Sequence, residues 1–276
     1  MIQPWISVCI PVYNGARTVR ATIQSVLDQG FEDFEICIVE NASSDETFQV
    51  VQSFSDERIR IVSNDKTVPA WENWSIATSM ARGKWIKLVC ADDLLGPNAL
   101  SHLNNYSKSF PEARVICGTR NVVDENGVQV LGSRRIVEAE QFIDILEFQK
   151  MICKVGSNPL GESLCWMWQR EVGLQMGSFS DQWQYFIDLD YWIRLSSTTD
   201  VLLVPASLGS FRISRFSWTS QLKWATISES FSFIMKHPLM RNAPLARRLY
   251  GLVMALFRGL TRINFLRFAR LKLYFE

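Results

Sequence analysis

Short apolar runs and stretches with helical spacing alternate through the first 120 residues, and this alternation constrains the fold more than any other feature. Five runs have the length of strands: WISVCIPVY, FEICIVE, RIRIVS, KWIKLVC and ARVICG. Most are apolar at successive positions, which is typical of strands buried on both faces of a parallel sheet. The sequence therefore predicts an α/β fold in which helices flank a mostly parallel, doubly wound sheet.

The alternation ends after Gly118, and the second half shows only separate local patterns. The stretch NVVDENGVQVL predicts a hairpin that turns at Asn126 and Gly127. EAEQFIDILEFQKMI has helical spacing, and a short helix is expected from Tyr185 to Ser197. DVLLVPASLGSFRIS predicts two strands joined through Pro205.

The charge of the chain is unevenly distributed. The net charge is only +1, which argues against a general nucleic-acid binder. From Arg241 onward, however, eight Lys and Arg residues stand against a single acid, Glu276. We expect residues 1–118 and 119–235 to be two halves of one domain, followed by a basic, amphipathic helical tail at 236–276.

From Pro244 onward, this tail interleaves Leu, Val, Phe and Ile with Arg. Such a composition favours a helix that lies in a membrane interface, although a docked helix or an oligomer contact is the alternative. We expect no signal peptide, because the opening MIQPWISVCIPVYN lacks a charged start followed by a long apolar core. We expect no membrane-spanning helix, because no apolar run reaches about 18 residues.

Cysteine and histidine usage narrows the chemistry. The six cysteines show no CxxC spacing, and four lie in predicted strands, which favours free thiols in a reduced, cytoplasmic setting. The two histidines, His102 and His237, have no ligand partner at short spacing. A His-dependent zinc site or a Ser–His–Asp triad is therefore not expected.

Two adjacent carboxylates, Asp92 and Asp93, follow the predicted strand KWIKLVC. Ligands bind outside the carboxyl ends of such sheets, and oxygen ligands suit Mg²⁺ or Mn²⁺ together with a diphosphate. The alternative is a solvated turn before a helix that starts at Pro97. The sequence contains neither GxGxxG nor GxxxxGK[ST], which disfavours a dehydrogenase or a P-loop enzyme and favours a carboxylate-bound metal.

The segment VENASSDET ends the second strand. Asn41 can donate and accept hydrogen bonds and so suits a pyrimidine edge. Ser43 and Glu46 predict a capping box for a helix that runs through Phe54, which would leave Asn41 free.

The segment FIDLDYWIRLS carries two carboxylates in a predicted helix. Asp190 is four residues before Arg194, the spacing of an ordinary surface ion pair. Asp188 aligns instead with the apolar stripe, where a carboxylate is costly unless it has a partner or a task. Asp188 is therefore the candidate general base.

Six tryptophans lie in the second half, where they either stack on sugar rings or pack a core. They are Trp166, Trp168, Trp183, Trp192, Trp218 and Trp224.

These segments, taken in order, resemble the family 2 nucleotide-sugar glycosyltransferases, which have the GT-A fold. The resemblance covers about residues 5–220 and rests on SVCIPVYNGARTVRATIQSVLDQ, FEICIVENASSDET, LVCADDLLGPNAL, NPLGESLCWMWQREVGLQMGSF and FIDLDYWIRL. It implies an inverting, single-displacement transfer from a nucleoside-diphosphate sugar, with Mn²⁺ or Mg²⁺ as cofactor.

The resemblance also implies site residues. Asp188 would be the base, Asp93 the metal ligand, and Asp92 a ribose or metal contact. The nucleoside pocket would consist of Pro11, Tyr13, Glu40 and Asn41. Because Glu40 and Asn41 replace the family's acidic pair, both uridine and thymidine remain possible bases.

The chain departs from the family pattern at three positions: Cys90 in place of the first Asp of the DXD motif, Ile187 before the base, and Ser214 in place of a frequent His. Arg212 or Arg215 would then supply positive charge to the diphosphate.

Three functions follow. The first is transfer to a glycan or lipid-linked acceptor for surface polysaccharide synthesis, at the inner face of the cytoplasmic membrane. The second is a catalytically silent module that binds a sugar nucleotide or acts as a scaffold, which the three departures favour and the retention of Asp93 and Asp188 opposes. The third, a sugar-phosphate nucleotidyltransferase, would need a glycine-rich loop that PVYNGART does not supply.

Overall fold

A computed structural model describes residues 3–132, 136–214 and 223–275, with side chains up to residue 261 except that of residue 223. The described strands are β1 Ile6–Val12, β2 Phe34–Glu40, β3 Ile59–Ser63, β4 Trp85–Leu88, β5 Leu94–Leu95, β6 Val115–Val123, β7 Gln129–Leu131, β8 Gln141–Ile143, β9 Trp166–Gln169 and β10 Val201–Arg212. The described helices are α1 Val19–Leu27, α2 Thr47–Gln52, α3 Ala70–Ser79, α4 Ala99–Ser109, α5 Ile145–Val155, α6 Arg170–Met176, α7 Ile187–Ser196, α8 Lys223–Lys236, α9 Pro238–Arg241 and α10 Leu245–Phe275.

All these strands join one sheet, whose main order is β3-β2-β1-β4-β9-β6-β10-β5. The four strands from the first half, β3, β2, β1 and β4, are mutually parallel, as their continuous apolar runs predict. The rest of the sheet is mixed, because β9 runs antiparallel between β4 and β6. The α/β class is confirmed, and β9, which interrupts the parallel order between β4 and β6, comes from the half in which the alternation had ended.

Two local predictions in the second half are wrong. The predicted helix EAEQFIDILEFQKMI begins only at Ile145, because β8 pairs with β10 and Asp144 then caps the helix by accepting a hydrogen bond from Glu147 N at 2.7 Å. DVLLVPASLGSFRIS forms one strand rather than two. β10 passes through Pro205 with a shift of register between Leu203 and Ser207, and such an irregularity accommodates proline within a sheet.

The hairpin prediction is confirmed. β6 and β7 pair antiparallel, and Gly127 lies in the turn with a φ of 82°. The Asp124 carboxylate stabilises this turn by accepting hydrogen bonds from Asn126 N and Val128 N, both at 2.9 Å.

The core lies on both faces of the sheet, and four of the six tryptophans belong to it. Trp166 and Trp192 stack with ring centroids 4.7 Å apart, and Trp168 and Trp183 are also buried. Only Trp224 among the described tryptophans is exposed, and Trp218 lies outside the described residues. Packing therefore accounts for the four buried tryptophans. All six cysteines are free thiols, as predicted, and five are buried.

Helix α10 packs along α5 and α8 through small residues. Gly156 and Ala255 approach so closely that a Cβ added at Gly156 would lie 2.2 Å from Ala255 N. The opposite side of α10 exposes an apolar stripe at helical spacing, formed by Leu245, Leu249, Val253, Leu256, Phe257 and Leu260. Within the described part of the chain, no helix is long and apolar enough to cross a membrane.

Candidate active site

The loops that follow β1 and β2 are tied together at the carboxyl end of the sheet. Asn14 N donates to Ser43 Oγ at 3.0 Å, and Gly15 N donates to Thr47 Oγ1 at 2.8 Å. The predicted capping box is therefore wrong, because Ser43 binds the neighbouring loop and the Glu46 side chain makes no cap hydrogen bond. Both loops are instead held in place beside the proposed nucleoside pocket.

Three of the predicted nucleoside-pocket residues lie in or directly after the last residues of β1 and β2, beside these two loops. Pro11 is buried within β1, and Tyr13 follows that strand with 51% of its surface exposed. Glu40 ends β2, and its Oε1 accepts a hydrogen bond from Ser43 N at 2.7 Å. An exposed ring beside an ordered loop is well placed to stack on a base.

Asn41 is buried, and its side chain is engaged by the protein. Asn41 Oδ1 accepts hydrogen bonds from Val68 N at 2.9 Å and from Asn64 Nδ2 at 2.8 Å, while Asn41 Nδ2 donates to Val68 O at 2.8 Å. The expectation that Asn41 is free to read a base edge is therefore wrong. The residue instead fixes the loop that leads from β3 to α3.

Asp93 lies in the loop that follows β4, directly before β5, and is 1% exposed. Its Oδ1 accepts a hydrogen bond from Arg212 N at 3.1 Å, whereas its Oδ2 has no hydrogen-bond partner among the described residues. Burial first, and then the charge of Asp92, raise the pKa of Asp93 well above its usual range. A cation beside Oδ2 would remove both the unmet hydrogen-bonding capacity and the repulsion.

Arg212 braces the loop that carries these carboxylates. Its guanidinium donates from Nε to Asp92 O at 2.9 Å and from Nη1 to Glu125 O at 3.2 Å. Arg212 thus brings positive charge to the candidate diphosphate site while it holds Asp92 through the backbone. The other candidate cation, Arg215, lies outside the described residues.

Lys87 is a buried cation of this region that the sequence patterns did not reveal. It lies in β4, is 0% exposed, and its Nζ donates to the carbonyl oxygens of Leu164 and Trp166. Burial lowers the pKa of Lys87 to about 8. Its position inside an apolar strand, WIKL, is the signal that could have identified it, because a lone Lys there needs partners.

Asp188 lies in the first turn of α7 and is half-buried. Its Oδ1 accepts a hydrogen bond from Leu189 N at 2.7 Å, and its Oδ2 accepts one from Asn158 Nδ2 at 3.3 Å. Desolvation, followed by the nearby charge of Glu162, raises the pKa of Asp188 to about 7. A carboxyl group with such a pKa can take up and release a proton near neutral pH.

Asp190 forms the predicted ion pair with Arg194, but it is buried rather than at the surface. It is 5% exposed and lies between Arg194 Nε at 3.0 Å and His237 Nε2 at 3.4 Å. His237 comes from the junction of α8 and α9, so that Asp190 anchors α7 to the C-terminal helices, whereas Asp188 meets Asn158 of the loop that precedes β9.

Glu162 is a second residue that the sequence patterns missed. Its carboxylate accepts two hydrogen bonds from the Arg120 guanidinium, the one from Nη2 at 2.9 Å. The charge of Glu162 contributes to the raised pKa values of both Asp93 and Asp188, which places it near each of them. Its stretch, NPLGESLCWMW, has no local pattern that marks a charged site.

A divalent cation fits the donor set at the end of β4. The described residues contain no group of three or more His, Cys, Asp or Glu side chains arranged as a complete metal site. Asp92 and Asp93 could nevertheless hold one cation together with substrate oxygens, because Mg²⁺ and Mn²⁺ commonly use one or two carboxylates and substrate phosphates. The partnerless Asp93 Oδ2 is the observation that favours this fit.

Comparison with known proteins gives a consistent result. The family model described as "Glycosyl transferase family 2" matches residues 7–172. An uncharacterised protein of Mycobacterium tuberculosis is 28% identical over 211 residues, which are 75% of this chain and 66% of that protein. The protein named UDP-Glc:alpha-D-GlcNAc-diphosphoundecaprenol beta-1,3-glucosyltransferase WfgD, of Escherichia coli, is 34% identical over 95 residues, 34% of this chain and 38% of that protein. The chain thus spans less than two thirds of the length of these relatives.

Two solved structures share the fold. S. aureus TarS 1-349 in complex with UDP has a TM-score of 0.66 at 15% identity, covering 93% of this chain and 72% of that one. Mannosyltransferase PcManGT from Pyrobaculum calidifontis, in complex with GDP-Man and Mn²⁺, has a TM-score of 0.64 at 14% identity, covering 95% of this chain and 75% of that one.

Proposed function

This chain belongs to glycosyl transferase family 2 and has the GT-A fold, and on this premise we propose that it is an inverting glycosyltransferase that uses a nucleoside-diphosphate sugar. The single observation that carries the proposal is the contrast between two enclosed carboxylates, Asp93 in the loop after β4 and Asp188 in the first turn of α7. Asp93 has an oxygen with no hydrogen-bond partner in the described part of the chain, and burial raises the pKa of Asp188 to about 7.

The reaction is a single displacement. The acceptor hydroxyl oxygen forms a bond to the anomeric carbon of the donor as the bond from that carbon to the diphosphate oxygen breaks. Asp188 takes the hydroxyl proton, and the nucleoside diphosphate leaves with the bonding electrons. Attack from the side opposite the leaving group inverts the anomeric centre.

Asp93 and Asp92 would hold Mn²⁺ or Mg²⁺, which would supply positive charge to the departing diphosphate. Arg212, at the end of β10, adds a cation whose guanidinium donates to the main chain of the loop that carries both aspartates. Pro11, Tyr13 and Glu40 would line the nucleoside pocket, with Asn41 shaping its wall rather than reading the base. The TarS structure holds UDP and the PcManGT structure holds GDP-Man, which supports a nucleoside-diphosphate sugar, and UDP or dTDP is the nucleotide we propose.

We further propose that the acceptor is a lipid-linked glycan of surface polysaccharide synthesis and that the protein binds the cytoplasmic face of the membrane. The name of the WfgD relative contains diphosphoundecaprenol, a lipid carrier. The exposed stripe of α10 is the surface that would enter the interface, with arginines of the tail facing anionic headgroups.

Membrane binding can be tested by sedimentation with vesicles of anionic and of zwitterionic lipid. A variant with Leu249→Ser, Val253→Ser and Phe257→Ser replaces three of the six residues of the stripe, and Leu174→Ser, at an exposed leucine of α6, is the control. The proposal expects binding to anionic vesicles that only the triple variant loses. Concentration-dependent dimers without vesicle binding would instead assign the stripe to an oligomer contact.

The alternative is a catalytically silent sugar-nucleotide module, which Cys90, Ile187 and Ser214 favour. A panel of UDP-, dTDP- and GDP-sugars in thermal-shift assays with and without Mn²⁺, followed by transfer assays on lipid-linked acceptors, separates the two. The transferase proposal expects stabilisation by one nucleotide and turnover that Asp188→Asn lowers by about 10²–10⁴-fold. Stabilisation without turnover on any acceptor would favour the silent module.

A further inference from the structure

The loop that precedes β9, together with the first residue of that strand, contacts one face of α7. Asp188 and Trp192 are four residues apart and so lie on the same side of the helix. Asn158, at the start of the loop, meets Asp188, and Trp166, at its end, stacks on Trp192 with an interplanar angle of 7°.

The orientation of the Asn158 amide is fixed by the loop itself. Asn158 Oδ1 accepts a hydrogen bond from Leu160 N at 3.1 Å, which assigns the oxygen and leaves the NH₂ group on the other side. Asn158 Nδ2 then donates to Gly161 O at 2.8 Å and to Asp188 Oδ2 at 3.3 Å. The amide therefore has little freedom to turn away from the carboxylate.

The loop is held on its other side as well. Gly161 has a φ of 86°, and a Cβ there would lie 2.7 Å from Cys165 Sγ, so that both its conformation and its space require glycine. Trp166 Nε1 donates to Gly161 O at 3.3 Å. The adjacent Glu162 is bound by Arg120 through two hydrogen bonds. A loop anchored at these points can hold a side chain in register with α7.

We propose that Asn158 is a positioning residue for Asp188, which it holds by a charge-assisted hydrogen bond so that the carboxylate faces the acceptor hydroxyl. This role rests on the proposed function, in which Asp188 is the base. The alternative is a purely structural role, in which Asn158 only stabilises its own loop through Leu160 and Gly161.

The two interpretations differ in what they predict for the titration of Asp188. The charged or titratable groups near Asp188 are Glu162, from the same loop, and the Cys90 thiol at the end of β4. Glu162 raises the pKa of Asp188, whereas the hydrogen bonds from Leu189 N and from Asn158 lower it. Loss of the Asn158 donor should therefore raise this pKa, and loss of the Glu162 charge should lower it.

The experiment is a carboxyl-carbon NMR titration of the metal-free, full-length protein labelled at aspartate, in which Asp188→Asn assigns the signal. Asn158→Asp keeps the shape and the acceptor for Leu160 N but replaces the donor by a second carboxyl group. Asn158→Leu removes both polar atoms, Glu162→Gln removes the charge of Glu162, and Asn105→Leu, at an exposed position of α4, is the control.

We expect the pKa of Asp188 to rise by about one unit in Asn158→Leu, by more in Asn158→Asp, and to fall in Glu162→Gln. Asn105→Leu should leave it unchanged. If Asn158→Leu is too unstable to titrate, the isosteric Asn158→Asp decides the question. An Asp188 titration within about 0.2 units of wild type in the folded Asn158 variants would overturn the proposal.

This result is separable from the proposed function. The NMR titration requires neither donor nor acceptor, whereas the proposed function fails if Asp188→Asn retains full transfer activity. A shifted titration together with an active Asp188→Asn protein would assign Asn158 to tuning a carboxyl group that is not the base, and would also overturn the positioning role.

Discussion

The carboxylate of Asp93 and that of Asp188 belong to the same residue type, yet their surroundings give them different properties. Asp93 lies in the loop that follows β4, is buried, and has one oxygen with no hydrogen-bond partner among the described residues. Asp188 begins a helix of the second half, and each of its oxygens accepts a hydrogen bond. The Oδ2 atom of Asp93 is thus available to a cation, whereas Asp188, with a pKa of about 7, can take up and release a proton.

We expect the largest effect from substitution of Asp188, the candidate base. Asp188→Asn keeps the shape of the side chain but removes the proton acceptor, so that kcat/KM for sugar transfer should fall by about 10²–10⁴-fold while nucleotide affinity stays unchanged. Because the base must be deprotonated, wild-type kcat/KM should rise with pH through about 7.

The matched control for Asp188→Asn is Asp190→Asn, two residues along the same helix. Asp190 is bound by Arg194 and His237 and lies outside the candidate site, so that its loss should lower thermal stability more than the rate. A larger loss of rate in Asp190→Asn than in Asp188→Asn would contradict the assignment of the base.

The next largest effect concerns Lys87, the buried cation of β4. Lys87→Met leaves main-chain carbonyl oxygens near Leu164 and Trp166 without their donor, and each unmet buried group costs about 1–3 kcal/mol. We expect the free energy of unfolding from urea titration to fall by about 3 kcal/mol or more. The same substitution at the exposed Lys84, which contacts the Trp5 ring, should cost only about 0.5–1 kcal/mol. Equal losses of unfolding free energy in the two variants would show that the buried carbonyl oxygens do not need the Lys87 ammonium group.

The third effect concerns how Asp93 changes the stability of the metal-free protein with pH. Folding raises its pKa above the unfolded value of about 4, so that the stability it contributes is present at acid pH and is lost as the pH rises. Asp93→Asn should therefore raise the melting temperature of the chelated protein at pH 8, by a few degrees, and have little effect at pH 4. A lower melting temperature at pH 8 would mean that the buried charge is already compensated by the protein.

We expect the smallest effect from substitution of Tyr13 in the proposed nucleoside pocket. Tyr13→Ala removes an exposed ring, and a lost stacking contact of about 1 kcal/mol corresponds to a roughly fivefold weaker nucleotide affinity, with or without Mn²⁺. Tyr250→Ala, at a tyrosine of similar exposure on α10, is the control for calorimetry. Equal affinities in the two variants would remove Tyr13 from the pocket.

The parallel part of the sheet and the position of Asp93 could be predicted from the sequence because the information is local. A continuous apolar run specifies a buried strand, and the residue after it lies at the carboxyl edge. The spacing of Asp188 on its helix could likewise be predicted from a 3.6-residue period.

The predictions that failed depended on partners distant in the sequence. Asn41 is occupied by Val68, and Asp190 is buried beneath His237, 47 residues away. Glu162 carries no local pattern at all, since only the fold brings Arg120 to it. These contacts require the tertiary arrangement of the second half, where the strand–helix alternation gives no guidance.

The most direct test of the division between the two carboxylates is calorimetric titration of UDP or the preferred nucleotide sugar into wild type, Asp93→Asn and Asp188→Asn, with Mn²⁺ and with chelator. The account predicts that Mn²⁺ tightens binding to wild type and to Asp188→Asn equally, and by at least about tenfold less in Asp93→Asn. Mn²⁺-dependent binding that survives in Asp93→Asn, or that disappears in Asp188→Asn, would contradict it.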